Sequence, residues 1–110
     1  MAYSGKPFFK IPRPVLLAGG VEAKTLSGNI ILTDKDSLFQ ILDGGLATKN
    51  VNLPPEKNGR VYVIQNAGTT NDLAIKDAAD AGVITLSAGE VVVLCCDDTQ
   101  WYPVINVNNL

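Results

Sequence analysis

Arg60-Val61-Tyr62-Val63-Ile64-Gln65-Asn66 reads as a β-strand, and the rest of the chain can be parsed outward from it. Val, Ile and Tyr suit a pleated, half-buried surface. On the N-terminal side, Glu56-Lys57-Asn58-Gly59 is a turn signal, preceded by Pro54-Pro55 and by Asn50-Val51-Asn52-Leu53, which alternates polar and apolar. Further back, Leu38-Phe39-Gln40-Ile41-Leu42 is a short strand between the polar turns Asp34-Lys35-Asp36-Ser37 and Asp43-Gly44-Gly45. The apolar residues Val21, Ala23, Leu26, Ile30, Ile31 and Leu32 are broken at Ser27-Gly28-Asn29. On the C-terminal side, the polar loop from Asn66 to Asn71 leads into Asp72-Leu73-Ala74-Ile75-Lys76-Asp77, which alternates again. Ser87-Ala88-Gly89 reads as a hairpin turn joining Val83-Ile84-Thr85-Leu86 to the run from Glu90 to Cys96. Asp97-Asp98-Thr99-Gln100 then turns the chain into Trp101-Tyr102-Pro103-Val104-Ile105. A single helical turn fits within Asp77 to Gly82, and no helix of ordinary length fits anywhere. Strands at this spacing predict an all-β protein, an antiparallel β-sandwich or jelly-roll-like barrel over residues 21–110.

The 110 residues, 46% hydrophobic and 18% charged, make one domain with a single core and argue against intrinsic disorder. Histidine is absent, which removes the commonest general base and metal ligand and with it a Ser-His-Asp triad. The two cysteines, Cys95 and Cys96, are adjacent, a poor arrangement for a mutual disulfide and too few ligands for a zinc site. No apolar run approaches the roughly 20 residues that span a bilayer, and residues 1–7 lack a signal-peptide core. The unpaired thiols suit a reducing compartment or an assembly that buries them, and the expectation is a protein made and used without secretory export or a membrane partner.

Charge is unevenly placed. Residues 1–20 hold Lys6, Lys10 and Arg13 without an acid, a balance of +3, whereas residues 21–110 hold six cations against eleven acids, a balance of −5. Pro7, Pro12 and Pro14 keep the first segment out of helix and central sheet, while Phe8, Phe9 and Ile11 give it apolar weight. Residues 1–20 therefore read as an extended, basic, Pro-rich arm hinged at Gly19-Gly20, built to dock on an acidic protein surface, the alternative being a lid folded back over its own domain. Three cations without a Gly/Arg tract make a poor nucleic-acid footprint, so no nucleic-acid partner is expected. The body has its own oddity: Val91-Val92-Val93-Leu94-Cys95-Cys96 is apolar at every position, as is Ile30-Ile31-Leu32. A half-solvated antiparallel strand alternates instead. Val92, Leu94, Cys96 and Ile31 are accordingly assigned to a contact between copies of the chain, the alternative cover being the arm.

Catalytic signals are scarce. Asp34/Asp36 and Asp97/Asp98 are the candidate cation ligands, but neither pair follows the calcium-loop pattern, and Asp is a common turn residue. The glycine pairs at 19–20 and 44–45 match no phosphate-binding spacing. No enzyme activity and no cofactor are expected. Trp101 and Tyr102 point to opposite faces of their strand, and a lone tryptophan after an Asp-rich turn fits a core plug better than a sugar platform.

The succession from Leu32-Thr33-Asp34-Lys35-Asp36-Ser37-Leu38-Phe39-Gln40-Ile41-Leu42-Asp43-Gly44-Gly45, through Tyr62-Val63-Ile64-Gln65-Asn66-Ala67-Gly68 and Leu86-Ser87-Ala88-Gly89-Glu90, to Cys96-Asp97-Asp98-Thr99-Gln100-Trp101, resembles head decoration (cement) proteins of tailed bacteriophages. The resemblance covers about residues 32–101 and rests on the order of strands and turns. It implies a homotrimer on the outer surface of the phage head, clamping the major capsid protein, with the chain made in the host bacterial cytoplasm. Phe8, Phe9, Lys10, Ile11 and Arg13 would then be the capsid-binding residues. Related β-modules occur in tail fibres, so a tail-fibre or head-fibre structural or receptor-binding module is the alternative. The absence of a shaft, repeat or heptad between Met1 and Leu110 favours the decoration reading.

Overall fold

The computed structural model describes residues 19–108. They form nine strands and, among the described residues, no helix: β1 (Val21–Thr25), β2 (Ile30–Ile31), β3 (Phe39–Asp43), β4 (Lys49–Asn52), β5 (Val61–Asn66), β6 (Leu73–Lys76), β7 (Gly82–Leu86), β8 (Glu90–Cys96) and β9 (Trp101–Asn108). The all-β class and the positions of the strands agree with the sequence reading. The stretch from Asp77 to Gly82 is a turn and not a helical one. The Asp77 carboxylate accepts from the N–H groups of Ala79 and Ala81, each at 2.9 Å, and Asp80 takes a left-handed φ of 69°.

The pairing differs from expectation. One sheet has the order β1-β3-β5-β8-β9 and the other β2-β4-β6-β7. β1–β3, β3–β5, β2–β4 and β4–β6 are parallel, while β5–β8, β6–β7 and β8–β9 are antiparallel. Successive strands from β1 to β6 alternate between the sheets, so the chain winds as a coil and each turn adds one strand to each sheet. Parallel neighbours need a long crossover, and here the crossover is the strand laid down in the opposite sheet. The hairpin expected at Ser87-Ala88-Gly89 is likewise replaced by a crossing, since β7 and β8 lie in different sheets.

The two sheets share one core. Leu42, Ile64, Val92 and Leu94 from the first sheet and Val51, Leu73, Ile75 and Leu86 from the second are essentially inaccessible to solvent. Leu26, Leu32 and Leu53 close the interior from the crossovers. At about 1.5–3 kcal/mol for each fully buried aliphatic side chain, this interior is the main stabilising term. Trp101 occupies the core as expected, with its indole N–H donating to the Pro54 carbonyl at 3.0 Å and its ring 6.0 Å from that of Tyr62.

Asn66 holds the crossings together. It is completely buried at the end of β5, and its amide nitrogen donates to the carbonyls of Asn71 and Leu86, each at 2.9 Å. Its side-chain oxygen accepts from the Gly68 N–H and its main-chain carbonyl from the Gly89 N–H, both at 2.9 Å. A Cβ on Gly68 would stand 3.1 Å from the side-chain oxygens of Asn66 and Asp43, so a larger residue there has to push both aside by a few tenths of an ångström.

Candidate functional site

The strand β8 decides which surface is available to a partner. Its register against β5 pairs Leu94 with Tyr62 and Val92 with Ile64, and against β9 it pairs Cys96 with Trp101. Those partners point into the core, so Val92, Leu94 and Cys96 do too. This corrects their assignment to a contact between copies: their side chains fill the chain's own interior. Of the four residues so assigned, only Ile31 lies outside, 73% exposed on β2 at the edge of the four-stranded sheet. Phe8, Phe9, Lys10, Ile11 and Arg13 lie outside the described residues.

The side chains of β8 that face outward are Val91, Val93 and Cys95, and they belong to an apolar surface running across the five-stranded sheet. The pairing aligns Val21, Phe39, Val63 and Val93 in one row and Ala23, Ile41, Gln65 and Val91 in the next. Val61, Cys95 and Tyr102 make a third. Asp43 at the end of β3 is the only charged side chain of β3, β5 and β8 with this parity, and a shallow hollow of about 120 Å³ sits over Phe39, Ile41, Val63 and Val91. The outer face of the four-stranded sheet is different: Ile31, Asn52 and Lys76 align there, beside Asn50, Ala74 and Thr85. One outer face is apolar and the other is polar.

A groove of about 390 Å³ lies at one end of the molecule over Ile31, Leu53, Pro54, Pro55 and Ala78. An ion pair of Arg60 with Asp34, 2.7 Å apart, forms part of its wall, and the guanidinium also donates to the Pro55 carbonyl at 2.7 Å. A more polar recess of about 320 Å³ continues past the pair to Asp36 and Tyr62. Burial and the nearby carboxylates push the Tyr62 phenol upward, and its hydroxyl donates to the Thr33 carbonyl at 2.7 Å. Arg60 is therefore already engaged by a carboxylate and a carbonyl within the chain.

The acidic pairs serve turns. Asp36 accepts from the Thr33 N–H at 2.7 Å, and Asp98 accepts from the Asn58 N–H at 3.0 Å. Asp97 accepts from the N–H groups of Thr99 and Gln100 at 2.7 and 2.8 Å, from the Thr99 hydroxyl at 2.8 Å, and from the Tyr102 hydroxyl at 2.9 Å. These donors, the Thr99 N–H foremost, hold its carboxyl far below the usual carboxylate range. Among the described residues no three His, Cys, Asp or Glu side chains are grouped so as to hold a metal ion, and no helix is long and apolar enough to cross a membrane. Burial raises the Cys96 thiol above its ordinary value, and Cys95 and Cys96 are both free.

No protein-family model, no curated protein and no solved structure matches the chain.

Proposed function

We propose that the chain is a decoration protein of a phage head, a two-layered β body with an extended basic arm over residues 1–20, which binds the outer surface of the assembled capsid as a homotrimer. The observation that carries the reading is the contrast between the two outer faces of the body, one apolar across five strands and one polar. A surface of that kind fits a protein built to be covered by protein. The uneven charge supports it: a +3 segment on a −5 body suits docking along acidic subunits while the body faces outward. The strand-and-turn succession from Leu32 to Trp101, with its resemblance to cement proteins, names the partner as the major capsid protein.

The mechanism is mass action. A protein that binds the assembled lattice but not free subunits stabilises the lattice with every bound copy. Three arms on one trimer act through a high effective concentration, so that contacts too weak singly hold together. Phe8, Phe9 and Ile11 supply the apolar contacts, and Lys10 and Arg13 pair with capsid carboxylates. Deleting residues 1–14 is expected to lower co-sedimentation with expanded heads by at least about tenfold, roughly the worth of one or two good contacts per arm. Undiminished binding by the truncated chain would contradict this role for the arm.

One observation favours the alternative, a structural module of a tail or head fibre. The coil of β1 to β6 adds strands turn by turn, and β1 and β2 lie at the sheet edges where a further turn of a longer chain would pair. Location of the chain in the particle separates the two.

A further inference from the structure

The outer face of the five-stranded sheet has no cover among the described residues, although β1, β3 and β5 are parallel, and parallel strands are ordinarily buried on both faces. We propose that this face, centred on Phe39, Ile41, Val63, Val91 and Val93, is where copies of this chain pack against one another. The inference deepens the trimer reading above and rests on it for the number of copies.

Charge selects the occupant. Residues 19–108 carry all eleven acids and six of the nine cations, so two bodies repel one another wherever their charged surfaces meet. The rows Val21-Phe39-Val63-Val93 and Ala23-Ile41-Gln65-Val91 contain no charge at all, which makes this the face on which like-charged bodies approach freely. The arm would set Phe8, Phe9 and Ile11 against it but leave Lys6, Lys10 and Arg13 without a carboxylate except Asp43 at its margin, whereas the same face of a second copy brings no cation to be left unpaired. The face is also poorly matched to a charged capsid surface.

Size agrees. Five strands about 4.8 Å apart and five residues long at about 3.3 Å each outline roughly 300–400 Å², and side-chain relief raises the accessible area above that. A contact of this area on each copy is about half the roughly 800 Å² per partner of a standard interface, so a single such face makes a weak contact. Association on it is expected to be weak and concentration-dependent, strengthened where copies close into a ring.

The test is sedimentation of the full chain across a concentration series. The wild-type chain is expected to exceed the monomer mass, and Val93→Lys to return it to monomer with its far-ultraviolet spectrum unchanged. Thr85→Lys, on the polar outer face, is expected to leave the mass as it was. Should Val93→Lys fail to fold, the isosteric pair Val63→Thr/Val93→Thr serves instead, raising the dissociation constant at least about tenfold. A wild-type monomer at all concentrations would overturn the proposal, as would an oligomer indifferent to Val93 and Val63. So would association that appears only after residues 1–18 are deleted, since the arm would then be the cover. Head binding, measured separately, keeps the two readings apart. An oligomer that ignores heads defeats the decoration function alone, and a monomer that decorates heads defeats this interface and the homotrimer while leaving head binding in place.

Discussion

Asn66 is buried with its amide fully used, and no hydrophobic substitute reproduces what it does. Asn66→Ala leaves the Asn71 and Leu86 carbonyls and the Gly68 N–H without their partner in a closed junction. The expected cost is about 2–4 kcal/mol in urea unfolding, on the scale of one or two buried polar groups left unsatisfied. A loss below about 0.5 kcal/mol would mean that water replaces the side chain. Asp97 acts through charge. Its folded pKa lies far below the ordinary 3.8, and that of Glu22 lies below 4.5, chiefly because Gln40 and the Ser37 N–H donate to it. A depressed carboxylate contributes stability in full above its unfolded pKa, and the contribution fades as the pH falls through the folded one. Acidification below about pH 4 is therefore expected to lower the unfolding midpoint, and Asp97→Asn to flatten that descent while lowering stability at neutral pH. Equal pH slopes for the two proteins would remove Asp97 from the account.

Among the elements, β8 shows how far the sequence could be read. Its apolar run is legible as a strand needing cover on both faces, but the run alone does not say which parity faces the core, and the structure turns Val92, Leu94 and Cys96 inward. The missing signal was in hand: a core Trp101, joined to β8 by the tight turn at Asp97, stands opposite Cys96 and forces Cys96, Leu94 and Val92 inward. The parity has a direct check. Leu94→Ala is expected to cost about 2–5 kcal/mol, as for a leucine removed from a closed core, whereas Val93→Ala next to it costs under about 1 kcal/mol at concentrations where the chain is monomeric. Similar losses at both positions would contradict the register. The parallel pairings were not legible, for a physical reason. Alternation of apolar and polar residues reports a half-buried strand without its direction, and the Gly, Asp and Asn of a sheet-to-sheet crossing are those of a hairpin. The coil also lacks a repeat: Phe39 pairs 18 residues after Val21, but Val63 pairs 24 residues after Phe39.

The body of residues 19–108 has an inside, an apolar outer face and a polar outer face, and among the described residues its grooves are small and walled in part by its own ion pair. Such a body suits binding to other protein surfaces, and the uneven charge of the chain gives that binding a direction. All-β architecture, the buried Trp101 and the turn-forming aspartates followed from residue types alone. The capsid partner proposed above rests on the succession of strands and turns together with the basic segment, and the proposal stands or falls with where the protein is found. The most direct measurement is the number of copies of this chain per purified phage particle, by quantitative mass spectrometry against the major capsid protein. A decoration protein gives a fixed large ratio, near one copy per capsid subunit or a constant fraction of it. A few copies to a few dozen would place the chain at a vertex, tail or fibre, and its absence from particles would contradict a virion role altogether.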